Sequence, residues 1–336
     1  MAEVIQQENI RRRLFKLAAP IFIETLLIMM LGAVDVIMLS RHSDNSVAAV
    51  GVVNQIIVLT FLIFEVINLG TSVLCSQYLG AKMHKNVVQV VGVSLLMNLV
   101  VGVSVSLFLF GMNETILQWM GLTPELMKDG TDYMRIVGAF AFFQAISLTL
   151  SASLRSANKA IYPMMVTVVV NVLNIIGNYT LIFGEFGFPE MGVEGAAIST
   201  AFSRGVSMVI LFIILFRKHI RKFPLAYFRP FPFKELKNLL KVGLPSAGEQ
   251  LSYSSSQVVI TYFINALGME ALAARTYSVN IIMFSFLFSI AIAQGGAICI
   301  GHLIGEKRPH AAFLLGKYVM KKSVLITVCL SLITAL

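Results

Sequence analysis

Leu14-Phe15-Lys16-Leu17-Ala18-Ala19-Pro20, followed by Glu24-Thr25-Leu26, returns later in the chain as Leu239-Leu240-Lys241-Val242-Gly243-Leu244-Pro245, followed by Glu249-Gln250-Leu251. The match runs from residues 14–90 to residues 239–315 at a constant offset of 225, with no insertion or deletion. It pairs Ala48-Ala49 with Ala273-Ala274, Phe61-Leu62 with Phe286-Leu287, and Gly70 with Gly295. It also pairs Gly80 and Lys82 with Gly305 and Lys307. One apolar unit has been used twice. In membranes, internal repeats build alternating-access transporters, with substrate and ion sites at the repeat interface.

The rest of the chain is what such a unit needs. It is 57% hydrophobic and 13% charged, with a mean hydropathy of +0.83. A bilayer core takes roughly 20 apolar residues per helix, and the sequence offers that many times over. Nine spans are predicted, at about 14–39, 47–79, 87–111, 131–154, 161–184, 194–216, 238–265, 271–304 and 312–336. The fold class is therefore an all-α polytopic membrane protein. The second and eighth spans are long, and each is predicted to include a membrane-parallel or tilted turn. Cys75, Cys299 and Cys329 fall in apolar runs and read as small hydrophobes. The first 13 residues are polar and basic, and the apolar run after them is long enough to span, so no cleavable signal is expected. Trp119 reads as an interfacial anchor.

A net charge of +9 raises the question of nucleic acid. Its distribution answers it. With the N-terminus placed in the cytoplasm, the inside segments collect Arg11, Arg12, Arg13, Lys16, Lys82, Lys85, Arg155 and Lys159. They also collect the basic residues between Arg217 and Lys241, and Lys307, Arg308, Lys317, Lys321 and Lys322. The outside loops are acidic: Asp44, Glu114, Glu125, Asp129, Asp132, Glu185, Glu190, Glu194 and Glu270. This is the positive-inside pattern of a multi-pass inner (plasma) membrane protein with a cytoplasmic N-terminus. A nucleic-acid surface would also interleave exposed aromatics among the basic residues, so no nucleic-acid partner is expected. The long inside loop, residues 217–237, carries Arg229-Pro230-Phe231-Pro232-Phe233 and breaks helix continuation. It divides the chain into a six-helix first lobe (1–216), a linker (217–237) and a partial second lobe of three helices (238–336).

Acids inside spans are expensive, at roughly 2.5–3.5 kcal/mol on insertion scales, and mark cavities, partners or ion pathways. Glu24, Asp35, Glu65 and Glu249 qualify. Asp35 is the strongest candidate. It lies about five residues from the outer end of its span, at a depth similar to Asn178 on the fifth span. Asn174 and Asn178 are four apart and share a helix face, with Asn171 nearby. A carboxylate facing two amide carbonyls is a site for Na⁺ or for a proton; the alternative is that the asparagines hold helices together. Glu24 and Glu249 are repeat partners, each one turn after a proline. They read either as paired carboxylates on a shared central cavity for a cationic substrate or as symmetric structural groups. Glu65 has Ile290 as its counterpart and is expected to pair with the mid-span Arg204. Tyr253, Ser254, Ser255, Ser256 and Gln257 make the seventh span polar enough to line a wet cavity. Gly301 and Gly305 are spaced for close helix packing. His42, His84, His219, His302 and His310 are not spaced as a metal cluster.

The sequence has no G-x-x-x-x-G-K-[ST] loop and no G-x-S-x-G or H-E-x-x-H motif, so neither direct ATP coupling nor an enzyme is expected, and no cofactor. Several stretches do match a known family. These are Pro20 to Asp35 with Val34-Asp35-Val36-Ile37-Met38-Leu39-Ser40, and Val47-Ala48-Ala49-Val50-Gly51 through Asn54-Gln55. Further matches are Gly70-Thr71-Ser72, Gln77-Tyr78-Leu79-Gly80-Ala81, Leu154-Arg155-Ser156, Asn171-Val172-Leu173-Asn174 through Asn178-Tyr179, Leu181-Ile182-Phe183-Gly184, and Gly192 to Ala197. Together they span essentially the whole chain, which resembles the bacterial MATE (multidrug and toxic compound extrusion) transporters.

The resemblance implies two six-helix lobes related by a pseudo-two-fold axis along the membrane normal, with an outward cavity between them. Nine of twelve helices are then present, and the chain is expected to be truncated at its C-terminus. The resemblance carries the family's cation site onto Asp35, Asn174 and Asn178. Some members have a second Asp where this chain has Asn178, which leaves H⁺ or Na⁺ open as the coupling ion. The acid that some relatives carry in the seventh span is Tyr253 here, with Glu249 one turn earlier. The implied function is cation-coupled antiport that exports amphipathic or cationic small molecules, by a protein expected to be monomeric in the bilayer. The alternatives are a flippase for lipids or lipid-linked saccharides, whose cavity would need cations such as Arg204 and Arg275, and a non-transporting fragment.

Overall fold

A computed structural model describes residues 2–220, 223–265 and 269–335. With no water in hydrocarbon to take up backbone amides, a spanning segment satisfies them within its own helix. The described residues form eleven α-helices: α1 (Ala2–Ser40), α2 (Asp44–Gly80), α3 (His84–Gly111), α4 (Asn113–Trp119), α5 (Pro124–Ala139), α6 (Ala141–Ser156), α7 (Ile161–Phe183), α8 (Gly192–Lys218), α9 (Phe233–Asn265), α10 (Met269–Gly305) and α11 (Pro309–Ala335). Each of the nine predicted spans is helical. The fourth is a bent pair, α5 and α6, turning by 45° at Phe140. The short α4 was not anticipated; it ends at Trp119, which is 76% exposed.

The expected turns inside the second and eighth spans are absent. α2 and α10 are unbroken helices of 37 residues each, and neither contains proline. At about 1.5 Å per residue each is roughly 55 Å long, well beyond a hydrocarbon core of about 30 Å. A helix of this length reaches a bilayer by tilt or by extending past it, and neither is broken.

The repeat is visible as contacts. A Cβ at Gly80 would run into the carbonyl of His302, and a Cβ at Gly305 into the carbonyl of Gln77. Gly80 and Gly305 are repeat partners, and so are Gln77 and His302. Between them Gly301 lies against Ser76, its own counterpart. α2 and α10 therefore cross backbone to backbone about a pseudo-two-fold axis, at the end of the bundle that carries the N-terminus. On one side α9 lies on α2, with Gly70 closed by Leu239 and Gly243 by Val66. On the other, α1 lies on α10, with Gly295 closed by Ala18. Leu14, Leu17 and Ile21 of α1 share a core there with Ala291, Ile298 and Leu303 of α10 and Ala312 and Leu315 of α11. The turns that follow the crossing helices also match: Lys82 and Lys307, repeat partners, both adopt left-handed backbone at φ 58° and 59°.

The linker is docked on the first copy. Tyr78 Oη donates to Glu235 Oε2 at 2.7 Å and Asn86 Nδ2 to Glu235 Oε1 at 3.0 Å, while Gln89 Nε2 donates to the Tyr227 carbonyl at 2.7 Å.

Close crossing predicts a specific sensitivity. Gly80→Ala is expected to destabilise by about 1–3 kcal/mol through overpacking. Gly32→Ala, whose Cβ meets nothing within 4 Å, is expected to be neutral or to gain up to about 1 kcal/mol of helix propensity. Thermal unfolding of both variants in detergent checks this, and equal melting midpoints would contradict it.

Candidate functional site

Asp35 sits on the face of α1 that packs against α7. There Asn178 Nδ2 donates to Asp35 Oδ1 at 2.7 Å and to Asn174 Oδ1 at 3.2 Å. Asn174 and Asn178 are each only 1% exposed. The four-residue spacing puts both amides on one face of α7, as expected. Asn171, one turn earlier, donates to the Leu27 carbonyl of α1 at 2.8 Å. α8 closes the back: Asn174 Nδ2 reaches Thr200 Oγ1 at 3.4 Å, and Ser199 Oγ donates to the Asn174 carbonyl at 3.0 Å. Close packing at Gly177 brings Ser199 in, since a Cβ there would collide with its hydroxyl.

The orientation of Asn178 differs from the reading of two carbonyls facing the carboxylate. Its N–H faces Asp35, and its carbonyl oxygen is buried with no hydrogen-bond partner. An unpartnered buried acceptor costs about 1–3 kcal/mol. Arg204 of α8 adds a charge. It lies within electrostatic range of Asp35 and Tyr133, with its guanidinium 5.4 Å over the Phe61 ring and Nη1 buried without a partner. The site is thus a carboxylate, two buried amides and hydroxyls, with a guanidinium behind them.

The expected Glu65–Arg204 pair is not formed: no N···O approach within 4.0 Å joins them among the described residues. The cation nearest in effect to Glu65 is Arg155. Helical depth alone suggested the pairing, but Arg204 lies over Phe61 of α2 and within electrostatic range of Asp35 and Tyr133.

Glu24 and Glu249 do not share a setting. Glu24 is 4% exposed and paired with Arg155 Nη2 of α6 at 2.6 Å, so it is enclosed within the first copy and does not line a cavity with its counterpart. Glu249 is exposed on α9. Tyr253, beside it, is 59% exposed. Gln257 is bound to the second copy's α10, accepting from Arg275 Nη2 at 2.9 Å. Ser252, Ser256 and Thr261 donate to carbonyls of α9 itself, at 2.8, 2.7 and 2.7 Å, the local bonds that hydroxyls make on a helix.

Four residues around these centres escaped the sequence reading. Arg155 was grouped with the loop cations because it ends an apolar run, although Glu24 signals that a cation is needed nearby. Ser199 and Thr200 belong to a small-residue stretch, Gly195 to Ser203, typical of close helix packing. Tyr133, hydrogen-bonded to Thr200, carries no signal in the sequence.

Breaking a buried pair leaves one charge without a partner, at a cost of about 3–5 kcal/mol. Arg155→Met is expected to lose stability of that order, and Glu24→Gln combined with Arg155→Met to recover most of it. Chemical denaturation of the three proteins in detergent measures the coupling; additive effects would show that the contact carries no energy.

Comparison with known proteins agrees with this geometry. The MatE family model matches twice, over residues 20–180 and 245–336, and the second match begins at the repeat counterpart of the first. The chain is 43% identical over 300 residues to the "Uncharacterized transporter YisQ" of Bacillus subtilis, covering 89% of this chain and 66% of that protein. It is 30% identical over 297 residues to the "Probable multidrug resistance protein NorM" of Thermotoga maritima, covering 88% and 64%. It thus spans just under two thirds of the length of these relatives. Among solved structures, MATE in the bent conformation superposes with a TM-score of 0.85 at 25% identity, over 94% of this chain and 70% of that one. An outward-facing multidrug resistance MATE transporter of the MOP superfamily superposes at 0.83, also at 25% identity, over 94% and 70%. The duplicated scaffold, the doubled match at the repeat offset and the common fold together make this chain a member of the MatE family of transporters.

Proposed function

We propose that this chain works as a cation-coupled exporter of amphipathic or cationic small molecules, with H⁺ or Na⁺ exchanged at Asp35. The observation that carries the reading is the buried, unpartnered carbonyl of Asn178 beside the Asp35 carboxylate. A bound cation repairs that arrangement in either of two ways. A proton on Asp35 neutralises the carboxylate, and the O–H it creates donates to the Asn178 oxygen once the amide rotates. A Na⁺ ion takes the Asn178 oxygen as a ligand once the amide rotates. Neutralising Asp35 also leaves Arg204 without its balancing charge, which gives the cation leverage over how α1, α7 and α8 pack.

The contacts between the two copies described above gather toward the end that carries the N-terminus, which the basic loops place in the cytoplasm. Closure there is what an outward-open state requires, and rocking of one lobe on the other about the α2–α10 crossing gives alternating access. Broad substrate choice follows from Met and aromatic side chains that repack. A lipid flippase is less well supported, because a phosphate path would need several cations and Arg204 and Arg275 are the two candidates within the spans, lying over Phe61 and against Gln257 respectively.

The test uses full-length protein in proteoliposomes with imposed H⁺ and Na⁺ gradients applied separately. Efflux of ethidium is expected with one gradient and to fall to the gradient-free leak in Asp35→Asn. Wild-type efflux by that variant would overturn the assignment of Asp35.

A further inference from the structure

At the end where α2 and α10 cross lies a cavity of about 510 Å³ that the transport reading leaves unused. Its lining joins both copies of the repeat. Arg13, Lys82 and Asn158 come from the first, His219 from the start of the linker, and His302 and Glu306 from the second. Gly80 and Gly305, the last residues of the two crossing helices, mark its level. It therefore opens where the apolar spans end and headgroups begin.

The lining is cationic and largely uncommitted. Its one acid, Glu306, already has a partner in Arg308 at 3.7 Å. Neither Arg13 nor Lys82 has a carboxylate within 4.0 Å among the described residues. Arg13 spends only its Nε, donated to Asn158 Oδ1 at 2.9 Å, which fixes the guanidinium and leaves both terminal nitrogens for a ligand. Lys82 and Asn158 are held in left-handed backbone, at φ 58° and 59°, a conformation uncommon outside glycine. It is stabilised by the paired turn bonds Met83 N to Tyr78 O at 2.8 Å and Lys159 N to Leu154 O at 2.9 Å. His302 Nε2 donates across the copies to the Ser156 carbonyl at 2.7 Å, so the wall from the second copy is pinned. His219, beyond the end of α8, is held below its ordinary pKa by burial first and then by Lys159 and His84, whose positive field an anion would relieve.

We propose that this cavity binds a phosphate-bearing anion, with Arg13 and Lys82 as its principal ligands, and that the ligand ties the two copies together at this end. A guanidinium fork anchored at Nε, next to an ammonium and an amide, is the donor set that phosphate oxygens take in charge-assisted bonds. The volume lies within the usual 300–1,000 Å³ of ligand sites. A free phosphate and a lipid headgroup present the same oxygens, and the test tells them apart.

Purified full-length protein is titrated at constant ionic strength with inorganic phosphate in detergent, and separately reconstituted into nanodiscs of phosphatidylcholine alone or with phosphatidylglycerol. Thermal stability is the readout. A saturable rise in melting midpoint with inorganic phosphate supports a soluble ligand; a rise confined to phosphatidylglycerol supports a headgroup. In either case Lys82→Gln is expected to weaken the effect about tenfold, the scale of one charge-assisted hydrogen bond. Glu306→Gln is expected to strengthen it by removing the only acid in the lining, which reports the second copy's share. Lys322→Gln, on α11 and outside the cavity, is expected to leave it unchanged. Failure of both arms to shift the midpoint, or an equal shift in wild type and Lys82→Gln, would overturn the proposal. Neither result touches the role of Asp35.

Discussion

The crossing of α2 and α10 governs the rest of the structure. Two helices 37 residues long approach so closely that carbonyl oxygens of one occupy the space a side chain would need on the other. Only glycine allows this, and it does so at Gly80 and Gly305, while Gly301 admits the Ser76 side chain between them. In a membrane there is little hydrophobic force between helices, so close packing over small residues supplies the attraction. Once that contact is set, α1 can lie only on α10 and α9 only on α2. Each helix that begins one copy is thereby delivered to the second helix of the other. The same placement turns the opposite face of α1 to α7, where Asp35 meets Asn178.

The buried polar groups sort into two kinds by how fully they are satisfied. Thr71, Ser153 and Ser156 return hydroxyl bonds to carbonyls of their own helices, at 2.7, 2.8 and 2.8 Å, and need no further explanation. Glu24 with Arg155, and Asp35 with Asn178, are different. Each pair joins separate helices, and each retains an atom without a partner: Glu24 Oε2, Arg155 Nε and Asn178 Oδ1. Native interiors seldom leave such atoms unpaired. Around Asp35 the deficit consists of an acceptor beside a carboxylate, which a cation answers. Around Glu24 it is spread over an acid and a base, which answer one another and leave less scope for a ligand.

The spans were legible because hydrophobic length is a property of the local chain, and the repeat because two copies can be compared residue by residue. Asp35 with Asn174 and Asn178 was legible for a similar reason: depth along two parallel helices and a four-residue spacing specify most of the contact. What failed needed the rotation of one helix about its axis relative to another. Glu65 and Arg204 are at compatible depths but face different neighbours. Arg155 looked like a loop cation until α6 brought it under α1. The direction of the Asn178 amide is set by its Nδ2 donating to both Asp35 and Asn174, which no spacing rule encodes. The unbroken length of α2 was misjudged because the bilayer was taken as the limit on a helix. The limit that applies is where glycine and a left-handed turn, at Gly80 and Lys82, stop it.

The duplication separates scaffold from chemistry. Several positions that set backbone distance recur in both copies: Gly70 and Gly295, Gly80 and Gly305, and Lys82 and Lys307 with their matching φ, while Gly301 and Gly243 have the small residues Ser76 and Ala18 as counterparts. Positions that carry charge in the spans do not. Asp35 has Ile260 as its counterpart and Glu65 has Ile290, while Glu24 keeps an acid partner in Glu249 that is exposed where Glu24 is enclosed. A steric contact across a two-fold axis involves both copies at once, so a change on one side alone is penalised. A carboxylate site within one lobe is under no such constraint, and a second intramembrane charge at Ile260 would add an insertion cost of roughly 2.5–3.5 kcal/mol. Symmetric glycines with an asymmetric carboxylate are therefore what a duplicated membrane unit retains when the crossing must be kept and the charge needs to appear only once.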